Sequence, residues 1–333
     1  MSTLENFRAF RIHQDEQGHH AGIETMQREA LSPGDVVIRV KWSSVNYKDA
    51  LAGMGRGKIL RHYPLVGGID LAGTVSTSAD TRFQPGDPVL CTGSGLSETR
   101  DGGYSGVARV PAASLIPLPE GLDLREAMIL GTAGFTAGLA LSRMQDNGQT
   151  PAHGPIAITG ASGGVGMLAI SIFSQAGYEV HAISGKTERA GFLRELGAHT
   201  VLPRDTLTGA SQALESARFG GALDNVGGCH LAALLALTVP YGNVAVCGMV
   251  AGIAVSTTVM PFIIRGVSLL GIASAGTPRS QRERVWSHLA TDWKPSQLER
   301  IATREIGIDQ LMATFPVLLS GASFGRTLVH IAD

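Results

Sequence analysis

The stretch Ile158-Thr159-Gly160-Ala161-Ser162-Gly163-Gly164-Val165-Gly166 decides the fold of this chain. Apolar residues 156–159 predict a buried strand, and residues 165–175 predict a helix directly after the glycines. Glycines let the backbone approach a pyrophosphate, and the free N–H groups at a helix start bind its oxygens. The spacing departs from the usual Gly-x-Gly-x-x-Gly, and an ordinary tight turn is the alternative. The strand–turn–helix setting nevertheless favours a dinucleotide site.

The next predicted strand, residues 179–183, indicates which dinucleotide binds. It ends in Ser184-Gly185-Lys186, without the Asp or Glu that usually binds the ribose hydroxyls of NAD. A hydroxyl and an ammonium suit a 2′-phosphate, which a carboxylate at this place would repel. The alternative is that Lys186 is an ordinary solvated surface lysine. The sequence favours NADPH.

Strands and helices alternate after residue 155, which is typical of a parallel, doubly wound sheet. Helices are predicted at residues 126–141 and 188–196, and further strands at residues 200–202, 221–224, 244–247 and 268–272. The chain before them is β-rich, as at residues 36–42, and residues 326–331 predict a strand that returns to this first part. We therefore expect an α/β protein with a β-rich catalytic domain over residues 1–125, a Rossmann domain over 126–265, and a return to the first domain over 266–333.

Composition excludes several classes of function. Of the 333 residues, 44% are hydrophobic and 17% are charged, so the chain can bury a sizeable core. The net charge of −1 gives no field that favours nucleic acid or an anionic membrane. Glycine, hydroxyl residues and proline interrupt the most apolar region, residues 244–264, which predicts short buried strands there and no membrane helix.

The cysteines indicate the redox compartment. Cys91, Cys229 and Cys247 are too widely spaced for a disulfide framework or a Cys-x-x-Cys pair. Free cysteines usually behave as small buried hydrophobes. We expect all three to be buried, in a protein of the cytoplasm.

Several further stretches follow one known pattern. They are residues 43–49 (Ser-Ser-Val-Asn-Tyr-Lys-Asp), 68–75 (Gly-Ile-Asp-Leu-Ala-Gly-Thr-Val) and 131–137 (Gly-Thr-Ala-Gly-Phe-Thr-Ala). With the glycine turn, they resemble the medium-chain dehydrogenase/reductase superfamily, in its zinc-independent, quinone-oxidoreductase-like group. Residues 202–205 (Leu-Pro-Arg-Asp), 257–263 (Thr-Thr-Val-Met-Pro-Phe-Ile) and 325–329 (Gly-Arg-Thr-Leu-Val) are most similar to its acrylyl-CoA reductase branch.

The resemblance implies a GroES-like catalytic domain with an inserted Rossmann domain, a homodimer, and reduction of acrylyl-CoA to propionyl-CoA by NADPH. By position, the cofactor contacts would be Tyr47, Ser162, Gly163, Gly164, Val165, Ser184, Gly185, Lys186, Arg204 and Arg326. The chain departs from the branch at three positions, where Gly67 replaces a usual Pro and Gly228 and Ala273 each replace a usual Asp. The identity of the substrate is the implication that these departures affect most.

Zinc enzymes of the superfamily bind the metal through Cys and His or Glu side chains, which must be clustered at fixed spacing. Here Asn46 stands at the first ligand position, and Ile69-Asp70 replaces the His-Glu pair. The lobe after Cys91 has no further cysteine, and the only adjacent histidines, His19-His20, are predicted to lie in an amino-terminal loop. We therefore expect no metal site.

Without a Lewis acid, an alkene conjugated to a carbonyl is the easiest hydride acceptor, because the charge moves onto the carbonyl oxygen. Tyr47 is the leading candidate to position the ribose or donate a proton, although it could only pack. Asn46 could donate an amide N–H to that carbonyl or stabilise its loop. Structural roles are favoured for Asp49 and Asp70, whereas Arg326 could pair with phosphates of NADPH or of coenzyme A.

The basic run Arg56, Lys58 and Arg61 could meet the phosphates of coenzyme A or could be a solvated loop. The run and the branch motifs favour a 2-enoyl-thioester reductase that acts on acrylyl-CoA. The alternatives are an NADPH:quinone or enone oxidoreductase and a non-catalytic NADPH-binding protein, because a fold alone does not establish an activity.

Overall fold

The computed structural model of this chain describes residues 6–207 and 212–331. Its strands are β1 (Asn6–Asp15), β2 (Gly18–Gln27), β3 (Val36–Val45), β4 (Leu65–Val66), β5 (Asp70–Ser78), β6 (Pro88–Thr92), β7 (Val107–Val110), β8 (Ile116–Pro117), β9 (Ile156–Thr159), β10 (Val180–Ser184), β11 (Thr200–Pro203), β12 (Phe219–Asp224), β13 (Thr238–Val246), β14 (Ser268–Gly271), β15 (Ala302–Gly307) and β16 (Arg326–His330). Its helices are α1 (Tyr47–Gly53), α2 (Leu124–Asp146), α3 (Gly164–Gln175), α4 (Ala190–Glu195), α5 (Gly228–Leu237), α6 (Met260–Arg265), α7 (Arg279–Ala290), α8 (Leu298–Ile301) and α9 (Leu311–Leu319).

The chain divides into two compact units, and each is built from more than one segment. Unit 1 comprises residues 1–132, 275–284 and 299–333, and unit 2 comprises residues 133–274 and 285–298. The domain limits at residues 125 and 265 stay a prediction.

Unit 2 contains a six-stranded parallel sheet in the order β11-β10-β9-β12-β13-β14. This is the order of a dinucleotide-binding sheet, whose direction of winding reverses beside its first strand, here β9. Every residue of β9 and β12 is buried, as expected for central strands covered on both faces. The predicted parallel sheet is confirmed, and each of its strands lies within a few residues of the prediction except β13, which begins earlier.

Unit 1 is β-rich, and β3 is its central strand. β3 pairs antiparallel with β5, β7 and β16, so the predicted return of the final strand is confirmed. The β1–β2 hairpin and β4 form a separate small sheet. Phe10 of this hairpin packs edge-on against Tyr104 and Phe315, with ring centroids 6.2 and 5.8 Å away.

Helix α2 is longer than the predicted weak helix, and Gly131 interrupts it at φ 48° and ψ −154°. Only glycine adopts such a conformation without strain, so the interruption depends on this residue. By length and composition, α2 is the one helix of the described residues that could cross a membrane, and 89% of its most apolar window is buried.

Three expectations about local structure are wrong. Beyond Val246, the predicted buried strands are an irregular segment followed by α6, and apolar side chains such as Val250 and Ile253 are exposed. Cys229 is exposed and Cys247 is only partly buried, so of the three cysteines Cys91 alone is buried as expected. His19-His20 lies within β2 rather than in a loop. An apolar run by itself does not distinguish a buried strand from an exposed segment, which explains the first error.

Candidate active site and cofactor site

The end of β3 and the first residues of β5 and β16 bring polar side chains into the interior of unit 1. We call this set the buried cluster: Ser44, Asn46, Asp49, Asp70, Thr132 and Arg326. Asp70 is at its centre and is fully buried. Its Oδ2 accepts hydrogen bonds from the Ser44 hydroxyl (2.6 Å), the Asn46 amide (2.8 Å) and the Thr132 backbone N–H (2.9 Å). These donors offset the cost of removing a carboxylate from water.

Arg326 supplies the positive charge of the buried cluster. Its guanidinium lies 3.9 Å from Asp70 Oδ2 and is 3% exposed. It donates to the Ile129 carbonyl (3.0 Å), to Asn46 Oδ1 (3.1 Å) and to Ser44 Oγ (2.7 Å). Burial lowers the pKa of Arg326, and the Asp70 and Asp49 carboxylates oppose that shift. The group still carries its charge, because an arginine is not deprotonated in proteins.

Gly131 is required at the edge of the buried cluster. A Cβ added there would lie 2.6 Å from Asp70 Oδ2 and 2.8 Å from an Arg326 nitrogen. The positive φ of this residue and the lack of space both demand glycine.

Helix α1 begins at the buried cluster through a capping box. Asn46 caps the helix, and Asp49 accepts its backbone N–H at 2.8 Å. The other Asp49 oxygen accepts the Ile69 N–H at 2.9 Å. Burial, and then the nearby charge of Asp70, raises the pKa of Asp49 to about 7, although these hydrogen bonds oppose the shift. Asp49 therefore changes its protonation state near neutral pH.

Tyr47 is the first residue of α1, and it is the one predicted site residue of unit 1 that faces outward. Its side chain is 38% exposed, and its hydroxyl makes no hydrogen bond with another described residue, so it is available to a ligand. Asn46 and Arg326 are buried, with their polar atoms engaged inside the protein. Those contacts support a role for Asn46 in stabilising its loop rather than in donating an amide N–H to the substrate carbonyl. The assignment of Arg326 to a phosphate stays a prediction.

In unit 2, the glycine turn follows β9 as predicted. Gly160 has φ +58°, and the Gly163 N–H donates to the Gly160 carbonyl at 2.9 Å. Helix α3 begins at Gly164 with no side-chain cap, so the first N–H groups of the helix are available to an anion. A Cβ on Gly166 would lie 2.3 Å from the Gly160 carbonyl oxygen, which keeps the helix start close to the strand end.

Ser184, Gly185 and Lys186, which are predicted to bind a 2′-phosphate, lie at the end of β10, and Arg204, a cofactor contact implied by the resemblance, follows β11. The Ser184 hydroxyl donates to Ser162 Oγ at 3.1 Å and accepts the Lys186 N–H at 3.0 Å. A Cβ on Gly185 would lie 2.7 Å from the Arg204 guanidinium, so this exposed side chain covers the turn. Burial lowers the pKa of Lys186, and Glu188 opposes that shift. The structure thus places two cations beside a strand end that lacks an acid.

Sequence reasoning missed two hydroxyl–carboxylate pairs. Thr132 lies in the motif at residues 131–137, and its hydroxyl donates to Asp70. Thr159, the last residue of β9, donates to the buried Asp224 at 2.6 Å. Both pairs fix loops at the carboxyl or amino ends of strands. The signal available in the sequence was a carboxylate placed directly at a strand end.

Two of the departures from the branch fit their surroundings. The Gly67 N–H donates to the Phe10 carbonyl at 2.9 Å, a hydrogen bond that a proline would lose. Gly228 has φ +62°, which is strained for an aspartate. Neither position is a contact of the buried cluster.

Comparisons with known proteins agree with this architecture. Residues 32–120 match the family model described as an alcohol dehydrogenase GroES-like domain, and residues 164–291 match the one described as a zinc-binding dehydrogenase. The acrylyl-CoA reductase AcuI of Ruegeria pomeroyi is 42% identical over 98% of this chain and 99% of its own length. A Bacillus subtilis protein named as a quinone oxidoreductase, YhfP, is 44% identical over 99% of this chain and 100% of its own length.

A solved structure adds the three-dimensional comparison. The yhdH oxidoreductase of Salmonella enterica, in complex with NADP, has a TM-score of 0.94 at 43% identity, and the alignment covers 98% of this chain and 100% of that one. The chain belongs to the medium-chain dehydrogenase/reductase superfamily. It is therefore an oxidoreductase with a GroES-like domain and a Rossmann-like parallel sheet, as the sequence predicted.

The zinc implied by one of these family descriptions does not fit the residues of this chain. At the predicted ligand positions, Asn46 and Asp70 hydrogen-bond to each other, and a guanidinium already supplies the positive charge beside them. Zinc requires thiolate, imidazole or carboxylate ligands that converge on one point. Cys91 is buried, and burial raises its pKa to about 12, so it would not offer a thiolate near neutral pH.

Proposed function

We propose that this oxidoreductase uses NADPH to reduce the carbon–carbon double bond of a 2-enoyl thioester, and that acrylyl-CoA, converted to propionyl-CoA, is its substrate. The observation that carries the proposal is the buried cluster, in which Asn46 and Asp70 occupy the predicted zinc-ligand positions and hydrogen-bond to each other, with the Arg326 guanidinium 3.9 Å from Asp70. A site without a Lewis acid suits an alkene that is already polarised by a conjugated carbonyl.

Residues of unit 2 support the cofactor assignment. The glycine turn at Ser162, Gly163, Gly164 and Val165 opens a helix whose first N–H groups suit a pyrophosphate. Lys186 and Arg204 suit the 2′-phosphate that distinguishes NADPH from NADH. The NADP complex of the Salmonella enterica relative supports the same assignment.

NADPH, when bound, supplies the hydride that adds to the β-carbon of the alkene, and the pair of electrons of the double bond moves toward the carbonyl as an enolate. The Tyr47 hydroxyl makes no hydrogen bond with another described residue, and we assign it to the nicotinamide end of the site, where it positions the ribose or donates a proton. Asn46 and Arg326 are positioning residues. They hold the start of α1, and Tyr47 is its first residue.

The thioester is supported by the loop after α1. Arg56, Lys58 and Arg61 are exposed, and none of them makes an ion pair with another described residue. Unpaired cations at the surface attract the phosphates of coenzyme A. The name of the Ruegeria pomeroyi relative supports the same substrate class.

An NADPH:quinone or enone oxidoreductase is the second candidate, because the equally similar Bacillus subtilis relative has that name. A quinone has no phosphates, so it would make no use of the cations at 56, 58 and 61.

The decisive measurement is NADPH consumption by the purified protein with acrylyl-CoA and a simple quinone tested side by side. Our proposal predicts faster turnover of acrylyl-CoA and the appearance of propionyl-CoA by mass spectrometry. Preference for the quinone would leave the cofactor in place and reject the thioester. NADPH binding without turnover of either compound would reject both candidate substrates.

We also propose that the protein is a homodimer of the cytoplasm. β14 is an edge strand of the parallel sheet, and unit 2 exposes Tyr241, Ile253 and Ile263, which is typical of a surface covered by a partner. The three cysteines are free thiols, as suits a reducing compartment. Light scattering after gel filtration tests the dimer, and a monomeric mass would contradict it.

A further inference from the structure

The β1–β2 hairpin of unit 1 carries two histidines directly opposite each other. His13 of β1 and His20 of β2 are paired residues in the antiparallel register. Their rings are parallel within 3°, with centroids 4.7 Å apart. Because side chains alternate between the two faces of a strand, both rings lie on the same face of the hairpin.

Asp15 adds a carboxylate to this face, because it lies two residues after His13 in β1. Its Oδ1 accepts the Gln17 N–H of the hairpin turn at 2.9 Å, which fixes the carboxylate. The other oxygen, Oδ2, lies 3.8 Å from His20 Nε2. One nitrogen or oxygen atom from each of His13, Asp15 and His20 falls within 4.8 Å of the other two.

Glu24, further along β2, contacts the His13 ring. Its carboxylate hydrogen-bonds to His13 Nε2 and is also 3.3 Å from Arg11. With Nε2 held by this carboxylate, the lone pair of His13 Nδ1 is the one available to another group. A carboxylate on the far nitrogen is the usual support of a metal-binding histidine, because it fixes the tautomer and the ring orientation.

We propose that His13, Asp15 and His20 bind a divalent transition-metal ion of the zinc class, outside the catalytic site. Two imidazoles and one carboxylate form a ligand set that zinc and its neighbours prefer, with water at the open position. Zinc–nitrogen distances of about 2.0–2.1 Å separate tetrahedral ligand atoms by about 3.4 Å. The present spacing of at most 4.8 Å closes to that value by rotation of the His20 ring and the Asp15 carboxylate, which are about half exposed, while Glu24 holds the His13 ring.

The hairpin leaves room for the ion and its water. Gly18 and Gly22 flank His20 on the same face, and a Cβ added to either would meet no atom within 4 Å. His19, on the opposite face, instead donates its Nε2–H to the Ala52 carbonyl at 3.0 Å, which attaches β2 to α1. Among the residues that the structure describes, His13, Asp15 and His20 are the only three His, Cys, Asp or Glu residues grouped in this way.

The competing explanation is an ordinary surface ion pair between His20 and Asp15, with the His13 ring stacked beside it by chance. Such a pair between exposed side chains contributes little to stability and binds no ion. The two explanations differ in one measurable property, the stoichiometric binding of a metal.

The test is isothermal titration of the chelator-treated full-length protein with Zn²⁺. We expect one site in the wild type, and its loss in His13→Ala and in His20→Ala. His199→Ala is the matched control, since His199 is an exposed histidine 3.8 Å from Glu179 in unit 2, and we expect it to retain the site. Glu24→Gln should weaken the affinity by about 10- to 100-fold, as for other outer-shell partners.

Two results would overturn the proposal. One is a wild type that binds no stoichiometric Zn²⁺, and the other is a hairpin variant that titrates like the wild type or like His199→Ala. All variants are compared by thermal unfolding without metal, which checks that each one is folded. His20 is exposed, so we expect His20→Ala to match the wild type, whereas His13→Ala removes a side chain that is 19% exposed and hydrogen-bonded to Glu24. Added Zn²⁺ should then raise the midpoint of the wild type and of the control alone, because an ion that binds only the folded state stabilises it.

Discussion

Removal of the cations at the end of β10 should change which nicotinamide cofactor the protein prefers. Lys186 and Arg204 are beside the Ser184–Gly185 turn, with no acid at the strand tip. A hydrogen bond to a charged group contributes about 1.5–3 kcal/mol. Both side chains are partly solvated, so we take the lower limit for each, which corresponds to about a tenfold change in Kd.

Binding of NADPH and NADH is measured by calorimetry or by nicotinamide fluorescence. Lys186→Ala should raise the Kd for NADPH about tenfold, and the double variant with Arg204→Ala should raise it about a hundredfold. The Kd for NADH should stay within about twofold, because NADH has no 2′-phosphate to lose contact with. Arg194→Ala, which removes an exposed charge from α4 in the same unit, is the control, and both affinities should be unchanged.

Equal losses for NADPH and NADH would refute the reasoning, since the side chains would then support the turn rather than the phosphate. Unchanged affinities would refute it as well. In that case Lys186 would be an ordinary solvated surface lysine with no contact to the cofactor.

Two further outcomes follow from the buried cluster, and a third follows from Tyr47. Arg326→Met removes the charge beside the fully buried Asp70, and we expect the free energy of unfolding in urea to fall by about 3–5 kcal/mol. Arg125→Met, at a surface ion pair, is the control and should change this free energy by less than about 1 kcal/mol. Asp49→Asn should abolish a pH dependence of stability. The pKa of Asp49 is higher in the folded protein than in the unfolded chain, so protonation of this carboxyl stabilises the fold. Its contribution to stability is fully present below pH 3.8 and is lost as the pH rises to about 7, by about 1.4 kcal/mol per pH unit at most. An equal slope in the variant would contradict this assignment. Tyr47→Phe should lower kcat by about tenfold to a hundredfold with little effect on unfolding, and an unchanged kcat would reduce Tyr47 to a packing residue.

The sequence predicted most of unit 2, because a parallel sheet has strong local signals. β9, the glycine turn and α3 each depend on short-range features: a buried apolar run, residues with positive φ and a helix start. The alternation of strands and helices then predicted a parallel sheet, and the fixed handedness of strand–helix–strand crossovers leaves few possible topologies. The exposed segment after Val246 was missed because its apolar side chains have no local mark that distinguishes a surface from a core.

The buried cluster was only partly predictable, for a physical reason. Asn46, Asp49 and Asp70 were weighed from their positions in motifs, but their partners Thr132 and Arg326 lie far along the chain. Hydrogen bonds between residues so distant in sequence leave no periodic pattern. A carboxylate at the first residue of a strand was the only local hint that a donor must come from elsewhere.

The way in which this site holds its positive charge restricts what it can reduce. A metal accepts a substrate oxygen into an open coordination position, whereas the donors of Arg326 point to Ile129, Asn46 and Ser44 inside the protein. The guanidinium therefore stabilises its own surroundings and cannot stabilise charge that develops on a bound carbonyl. In our proposal the substrate is a conjugated alkene, which spreads that charge, and a donor that is still free stabilises it. The Tyr47 hydroxyl is such a donor, which is why its removal is expected to affect turnover where removal of Arg326 affects folding first.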